Sequence, residues 1–514
     1  MNNLYSSFLV FLLINLACFN SYAQRNSTVS DVNAVLLNAG ENKSELEEVL
    51  NYFKNKNDTV GLKSAEFLIS NMDIHQAVNY YWVDSSGCKI DFNEFSYQNF
   101  KESVASFRQI VEKKGQLTPV PFNSEDIKTI DAKYLINNIE VAIKSWKNSK
   151  IKNIPFQIFC EYILPYRVTI EPIQKWRENY QEEYKWITDS LFSLDLKTVM
   201  GLAQIDYKTS FLFTWNKESR DEPLPRLGAK HLIFRKKGAC EDVAAMVAFI
   251  FRSQGIPTAY DYIPLWGTSS GKHFLNTVFD ADMNAVKFDI TLPGSPVDHT
   301  LPREPAKVIR TTYSKQKSSL AFQNSIANIP PGFMQTQNYI DVTAEYWDTR
   351  DAYSKLYQTE MDNQVVYACM FSDAKWQPIW WGRSIGKNVV FKDMPKGTAI
   401  LPAFFKGGNL EPAGDVRING FNNELELNPD YGNLRNIIIE EKQGYLIFRT
   451  DNMYSLYIWD REWKLVNKQM YNDGSRTMSF ENVPRNVLMV LVPEYSQGKE
   501  RPFIITEDNA RHWF

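Results

Sequence analysis

The chain has 514 residues, and single hydrophobic cores seldom grow beyond about 250 to 300, so several domains are expected. Its 57 basic residues nearly balance 60 acidic ones, and a net charge of -3 leaves no electrostatic footprint for nucleic acid. Aromatic residues make up 14%, a bias shared with extracellular modules that bind carbohydrate or peptide on Trp and Tyr faces.

Residues 1–23 carry no charged side chain, run apolar from Phe8 to Leu16 and end in Ser-Tyr-Ala before Gln24. That is the pattern of a secretory signal, too short to span a bilayer, and it predicts export to the periplasm, cell surface or medium. Lipoprotein processing before Cys18 is the competing reading; Asn15, where an aliphatic residue is wanted, argues for simple cleavage after Ala23. No later stretch approaches 18 consecutive apolar residues, so no membrane span is expected. Cleavage would leave Cys88, Cys160, Cys240 and Cys369. If Cys240 is catalytic it stays free, and the other three allow at most one intramolecular bridge. No pair of cysteines has metal-ligand spacing and the histidines are scattered, so no metal site is expected.

From about 30 to 235 the hydrophobic period is helical, and residues 24–150 are read as a helical N-terminal region. Ser44 and Glu47 have the spacing of a capping box, with Leu46, Val49, Leu50 and Phe53 as the apolar stripe behind it. A second helix is predicted from Ser124 to Trp146, with Leu135, Ile139, Ala142, Ile143 and Trp146 on one face. These helices need a partner surface, which the mixed helix and strand section that follows, residues 151–330, would supply. Beyond 335 short Val-, Ile-, Phe-, Tyr- and Trp-rich runs alternate with turn residues, which predicts two β-sandwich modules, 335–425 and 426–514. Tyr367, Asp373, Trp376, Phe391, Pro395 and Leu401-Pro402 recur as Tyr454, Asp460, Trp463, Phe480, Pro484 and Val492-Pro493. The first two steps and the Phe-to-Pro step are identical while the loops drift, as a duplication predicts.

The middle section carries the chemistry. Val243, Val247, Ile250 and Phe251 recur at helical spacing, so residues 240 to 253 form an amphipathic helix stopped by Gly255 and Pro257. Cys240 then sits in the first turn, where free backbone N–H groups and the helix dipole favour a thiolate. Strands are predicted at 259–263, 273–279 and 285–290, with a loop from Trp266 to Gly271. If the last connection is Asp280-Ala281-Asp282, His273 lies opposite Asp289. A loop two residues longer shifts Asp289 by one pair but keeps it on the same face. A thiol, an imidazole and a carboxylate are what acyl transfer through sulfur requires.

Gly238-Ala-Cys240-Glu-Asp242, Arg252-Ser-Gln-Gly255-Ile256-Pro257, His273-Phe-Leu-Asn276 and Asp289 together resemble the transglutaminase-core superfamily, over about residues 155 to 300. The resemblance implies an α+β fold: a papain/transglutaminase-like cysteine core with a helical N-terminal region and two C-terminal β-sandwich modules, as in multidomain secreted bacterial members. It implies Cys240 as nucleophile, His273 as base and then acid, and Asp289 as the orienting group. The expected reaction cleaves or transfers an amide acyl group of peptide, glutamine carboxamide or glycosyl-asparagine type through a thioester, with no metal or organic cofactor. Leu275 two residues after His273, and Glu241 after Cys240, stand where many relatives and the animal crosslinking enzymes respectively carry Trp. These two departures weigh against true protein crosslinking.

Rival and accessory residues complete the reading. Asp280 and Asp282 are read as hairpin-turn residues and Asp242 as first-turn helix charge. An oxyanion hole needs a donor besides the Cys240 N–H, with Gln204, Trp215 and Trp176 as upstream candidates. Arg167, Glu171, Trp176, Trp266 and Asn276 are candidate substrate contacts, and for the Arg167 stretch a structural Arg–Glu pair is the plain alternative. His75, His231, His299 and His512 receive no functional reading. Trp376, Trp380, Trp381, Trp459 and Trp463 either stack on sugars or, more commonly for such residues, fill cores and interfaces. Expected partners are protein, peptide or glycoprotein substrates. The alternative function is an inactive core that serves as scaffold for glycan- or peptide-binding β-modules.

Overall fold

The computed structural model describes residues 32–214, 224–267, 270–292, 305–359, 362–420, 424–443, 446–472, 474–507 and 509–514. The expected signal segment, Cys18, Trp215 and His299 lie outside the described residues. Helices and strands both contribute substantially, helices in the first half and strands in the second, which makes the chain α+β.

The first predicted helix runs Lys43–Asn55, and its stripe is as expected: Leu46, Val49 and Phe53 are buried and Leu50 is half-buried. The capping box is not formed, because Ser44 lies inside the helix and Asn42 holds the capping position. The Asn42 amide instead crosses to the carbonyls of Ile127 and Ile130, at 3.1 and 3.0 Å. The second helix is Ala132–Asn148, capped by Asp131, whose carboxylate accepts the Tyr134 N–H at 2.7 Å. Ser124 lies before it in a strand, Thr118–Glu125, that pairs along its length with Gln76–Val83. The helical reading of 30 to 235 therefore misses a three-stranded sheet. Gln76–Val83 is half-buried along most of its length without alternation, so a period-2 signal is missing.

The core sheet has five antiparallel strands in the order Tyr339–Asp341, Ile309–Thr311, Thr258–Ile263, His273–Phe279, Ala285–Phe288. Tyr339–Asp341 belongs to this sheet, so the core reaches past 330 and the β-rich C-terminal section begins with the strand Thr349–Lys355. Helix Cys240–Ser253 packs on the sheet, with Val243, Val247, Ile250 and Phe251 buried. Its stop is as expected: Gly255 has φ +74°, and a Cβ there would stand 2.2 Å from the Ser145 carbonyl oxygen. One cluster of buried apolar side chains runs from Val35 through Leu135 and Phe251 to Tyr313. The N-terminal helices and the Cys240 helix thus share a core, the partner surface those helices required.

The duplication is visible in strand pairing. Val365–Ser372 pairs with Lys375–Ile385 and with Thr398–Lys406, just as Asn452–Asp460 pairs with Glu462–Tyr471 and with Met489–Pro493. Thr349–Lys355 with Asn388–Pro395 corresponds to Asp430–Glu440 with Thr477–Arg485. Each first pair also carries a bulge, at Ala368/Cys369 and at Leu456/Tyr457. Val366, Ala368 and Met370 face the first copy's own core, while Tyr367 and Cys369, on the other face of the strand, pack with Trp459, Leu488 and Ile504 of the second copy. The tryptophans follow: Trp376 lies 5.1 Å from Trp459, Trp459 5.2 Å from Trp463, and Phe371 5.1 Å from Trp463. These rings form an interface between the copies, the second of the two expected roles. Trp380 is covered by Lys307, 4.5 Å from its ring, and stacks near Phe333; Trp381 lies under Arg383.

Candidate active site

The turn before Cys240 is built by small residues around a buried carboxylate. Asp242 accepts the Ala239 N–H at 3.0 Å with one oxygen and the Leu227 N–H at 3.1 Å with the other. It is a buried clasp between two segments, a larger role than first-turn charge alone. A Cβ on Gly238 would lie 2.8 Å from Asp242 Cβ, so glycine is needed for that approach. Cys240 opens the helix and is half-buried.

Its thiol is not the thiolate that helix position alone predicts. Cys240 Sγ donates to Glu241 Oε2 at 3.5 Å. Burial first, then the charge of Glu241 and this bond, push the thiol up to about 12, and Asp289 adds to the effect. The Glu241 backbone N–H pulls the other way, the one trace of the helix N-terminus, and is outweighed. Glu241 also pairs with Arg226 at 3.4 Å.

The hairpin takes the longer of the two registers. Phe279 faces Ala285 across residues 280–284, and Asn276 faces Phe288. Asp280 is the turn residue expected, its carboxylate accepting the N–H groups of Asp282 and Asn284 at 2.9 and 2.8 Å. Asp289 follows the last strand and lies on the His273 face, and its Oδ2 accepts a hydrogen bond from His273 Nε2. Its Oδ1 accepts the N–H and hydroxyl of Thr291 at 2.9 and 2.6 Å. The carboxylate is thus held from both sides. With the carboxylate on Nε2, Nδ1 is the imidazole nitrogen not engaged by Asp289. Trp266 stacks on the imidazole with centroids 5.7 Å apart and planes 26° apart.

Other expected contacts take supporting places. Gln204 donates its amide to the carbonyls of Asp289, Ile290 and Leu292, so it braces the Asp289 segment and is not free for an oxyanion. Asn276 is buried, its amide tied to the carbonyls of Ala244 at 2.9 Å and Ala259 at 3.0 Å. It lashes the His273 strand to the Cys240 helix and fixes the spacing between them. Tyr207 carried no expectation. Among the described residues its buried hydroxyl has no hydrogen-bond partner, and burial, then Asp289 and Cys240, raise its pKa. Thr291 and Tyr207 are neighbours sequence reasoning missed, and Glu241 enters it only as a departure from Trp, without its contact to the sulfur. Only Thr291 and Glu241 had a signal, their adjacency to Asp289 and Cys240.

Arg167, Glu171 and Trp176 are elsewhere. Arg167 is buried against Asp126 at 2.6 Å and donates to the carbonyls of Gln76 and Thr169. Glu171 accepts the N–H groups of Val168 and Thr169, and Trp176 Nε1 donates to the Tyr166 carbonyl at 2.9 Å. Arg252 donates to the Arg167 carbonyl at 3.2 Å. It stands at the far end of the Cys240 helix, roughly 18 Å from Cys240 at 1.5 Å per residue. These contacts are structural, but the Arg–Glu pair is not the one formed: Arg167 pairs with Asp126 while Glu171 holds backbone N–H groups, and Trp176 Nε1 is taken by the Tyr166 carbonyl and is no oxyanion donor. The four described cysteines are free thiols, with Cys160 and Cys369 buried.

No family model matches the chain, and no curated protein matches it. Among solved structures, the crystal structure of red sea bream transglutaminase is similar at a TM-score of 0.23 and 8% identity, over 86% of this chain and 78% of that one. A likeness that weak carries no argument, and the site is read from its own residues. They define an α+β protein with a half-buried thiol at a helix N-terminus and a carboxylate-held imidazole on the sheet beside that helix.

Proposed function

We propose that the chain is an exported, transglutaminase-like cysteine enzyme that cleaves or transfers an amide acyl group through a thioester on Cys240. The observation that carries this reading is the bond from His273 Nε2 to Asp289, which leaves Nδ1 as the one imidazole atom able to take a proton. Because the thiol is held near 12, the imidazole would act as a general base during attack. Cys240 sulfur bonds to the acyl carbon as Nδ1 takes the thiol proton. The tetrahedral intermediate collapses, the C–N bond breaks, and the leaving amine takes the proton from the imidazolium. Water or a second amine then attacks the thioester, giving its proton to Nδ1, and the departing sulfur recovers that proton. The Asp289 carboxylate orients and stabilises the imidazolium. The Cys240 N–H supplies one oxyanion donor.

The second reading, an inactive core used as scaffold, is favoured by the hydrogen bond from Cys240 to Glu241, which ties the sulfur up. One experiment separates the two. Transfer of acetyl from p-nitrophenyl acetate to Cys240 is followed by peptide mass spectrometry against pH, in the wild type, Cys240→Ala and His273→Ala. The enzyme reading expects a fast acetylation that depends on His273. A rate indifferent to His273 would sink it and leave the scaffold.

A further inference from the structure

The segment 265–267, which covers the imidazole, is fastened by both β-modules. Leu265 is buried in the first module's core with Val366, Phe391 and Ile400. Its carbonyl accepts the Ala306 N–H at 2.9 Å, and Trp266 pairs with Pro305. From the second module, Arg501 reaches back with both terminal nitrogens. Nη1 donates to the Phe371 carbonyl at 2.9 Å, and Nη2 donates to the carbonyl of Gly267, the residue after Trp266. Burial lowers the guanidinium to about 10, so it remains charged at neutral pH. A charged donor on a backbone carbonyl is among the stronger hydrogen bonds available to it.

The imidazole needs this help. One hydrogen bond to Asp289 sets the direction of Nε2 but leaves the ring free to tilt about that bond. The Trp266 face, stacked on the ring, removes the tilt and so aims Nδ1. We propose that Arg501 is a positioning residue for His273, acting through Gly267 and Trp266, and that the second β-module thereby completes the site in the core. The proposal rests on His273 being the base described above. It predicts that a β-module far along the chain contributes to catalysis with no ligand of its own.

The test uses the full chain with labelled histidine. Stacking under Trp266 should move the His273 ring protons upfield, and His273→Ala assigns the resonance. In Arg501→Gln and Arg501→Lys that displacement should shrink towards its value in Trp266→Leu, and Cys240 acetylation by p-nitrophenyl acetate should slow by up to about 10²-fold, as a misplacement of about 1 Å can cost. A merely structural arginine would lower the melting temperature and leave the His273 resonance in place, which overturns the proposal. Failure of both variants to fold would assign Arg501 to general stability and overturn it as well. If wild-type acetylation ignores His273, the functional reading fails, while the ring-current displacement still reports whether Arg501 holds the loop.

Discussion

Asp126 and Asp289 are both almost wholly buried, and each faces a basic side chain, yet their surroundings lead to different chemistry. Asp126 meets Arg167, and Tyr166 adds a bond at 2.8 Å, while the arginine's other nitrogen is taken by two carbonyls. Asp289 meets His273, whose side chain is 16% exposed and whose second nitrogen is left over. Arginine does not release its proton at neutral pH, so the first cluster can only hold the chain together. The second keeps an atom that can exchange one. What separates a structural charge cluster from a reactive one is thus that remaining atom, and density of polar residues alone says little.

The sharpest way to break this comparison is at the reactive member. Asp289→Asn keeps the shape but loses the preference for hydrogen on Nε2, and Cys240 acylation should fall by about 10³ to 10⁴, measured as acetylation rate. Cys240→Ala should abolish it with the fold intact, read by circular dichroism. At the structural member, Arg167→Ala leaves Asp126 buried without its counter-ion and should cost about 3 to 5 kcal/mol in urea unfolding. The pH dependence of acetylation should not change in that variant.

Two further histidines sharpen the contrast. His75 and His231 are buried and held neutral, lowered to about 3 chiefly by desolvation. A depressed histidine binds fewer protons folded than unfolded, so stability should fall as pH drops from about 6.5 towards 3. Urea midpoints across that range should show the slope, and His75→Gln should flatten it. The smallest expected effect is Glu241→Gln, which removes the nearest negative charge. The alkylation profile of Cys240 should move down from its midpoint near 12, with faster alkylation at pH 8 to 9.

The helix from 240 to 253 was legible, ends included, because its stripe, its small N-terminal residues and its Gly-x-Pro stop are all local. The hairpin was legible up to a choice of two loop lengths, since period-2 alternation fixes the face and not the pairing partner. The thiol's high pKa was not, because it depends on burial and on which rotamer Glu241 adopts. The Arg167 stretch misled for a related reason: a dense run of polar and aromatic residues looks the same whether its partners are a ligand or the carbonyls of Gln76 and Thr169. The sheet at 76–125 escaped because its strands present no alternating face.

The paired tryptophans between the two copies bear on valency. A duplicated module would ordinarily double the number of binding sites, and a ligand bound by both would gain avidity. Here Trp376 and Trp463, equivalent positions in the two copies, belong with Trp459 to one shared aromatic cluster. The duplication has turned this pair of surfaces on itself, so the two copies share one partly buried aromatic cluster where separate modules would present two independent faces.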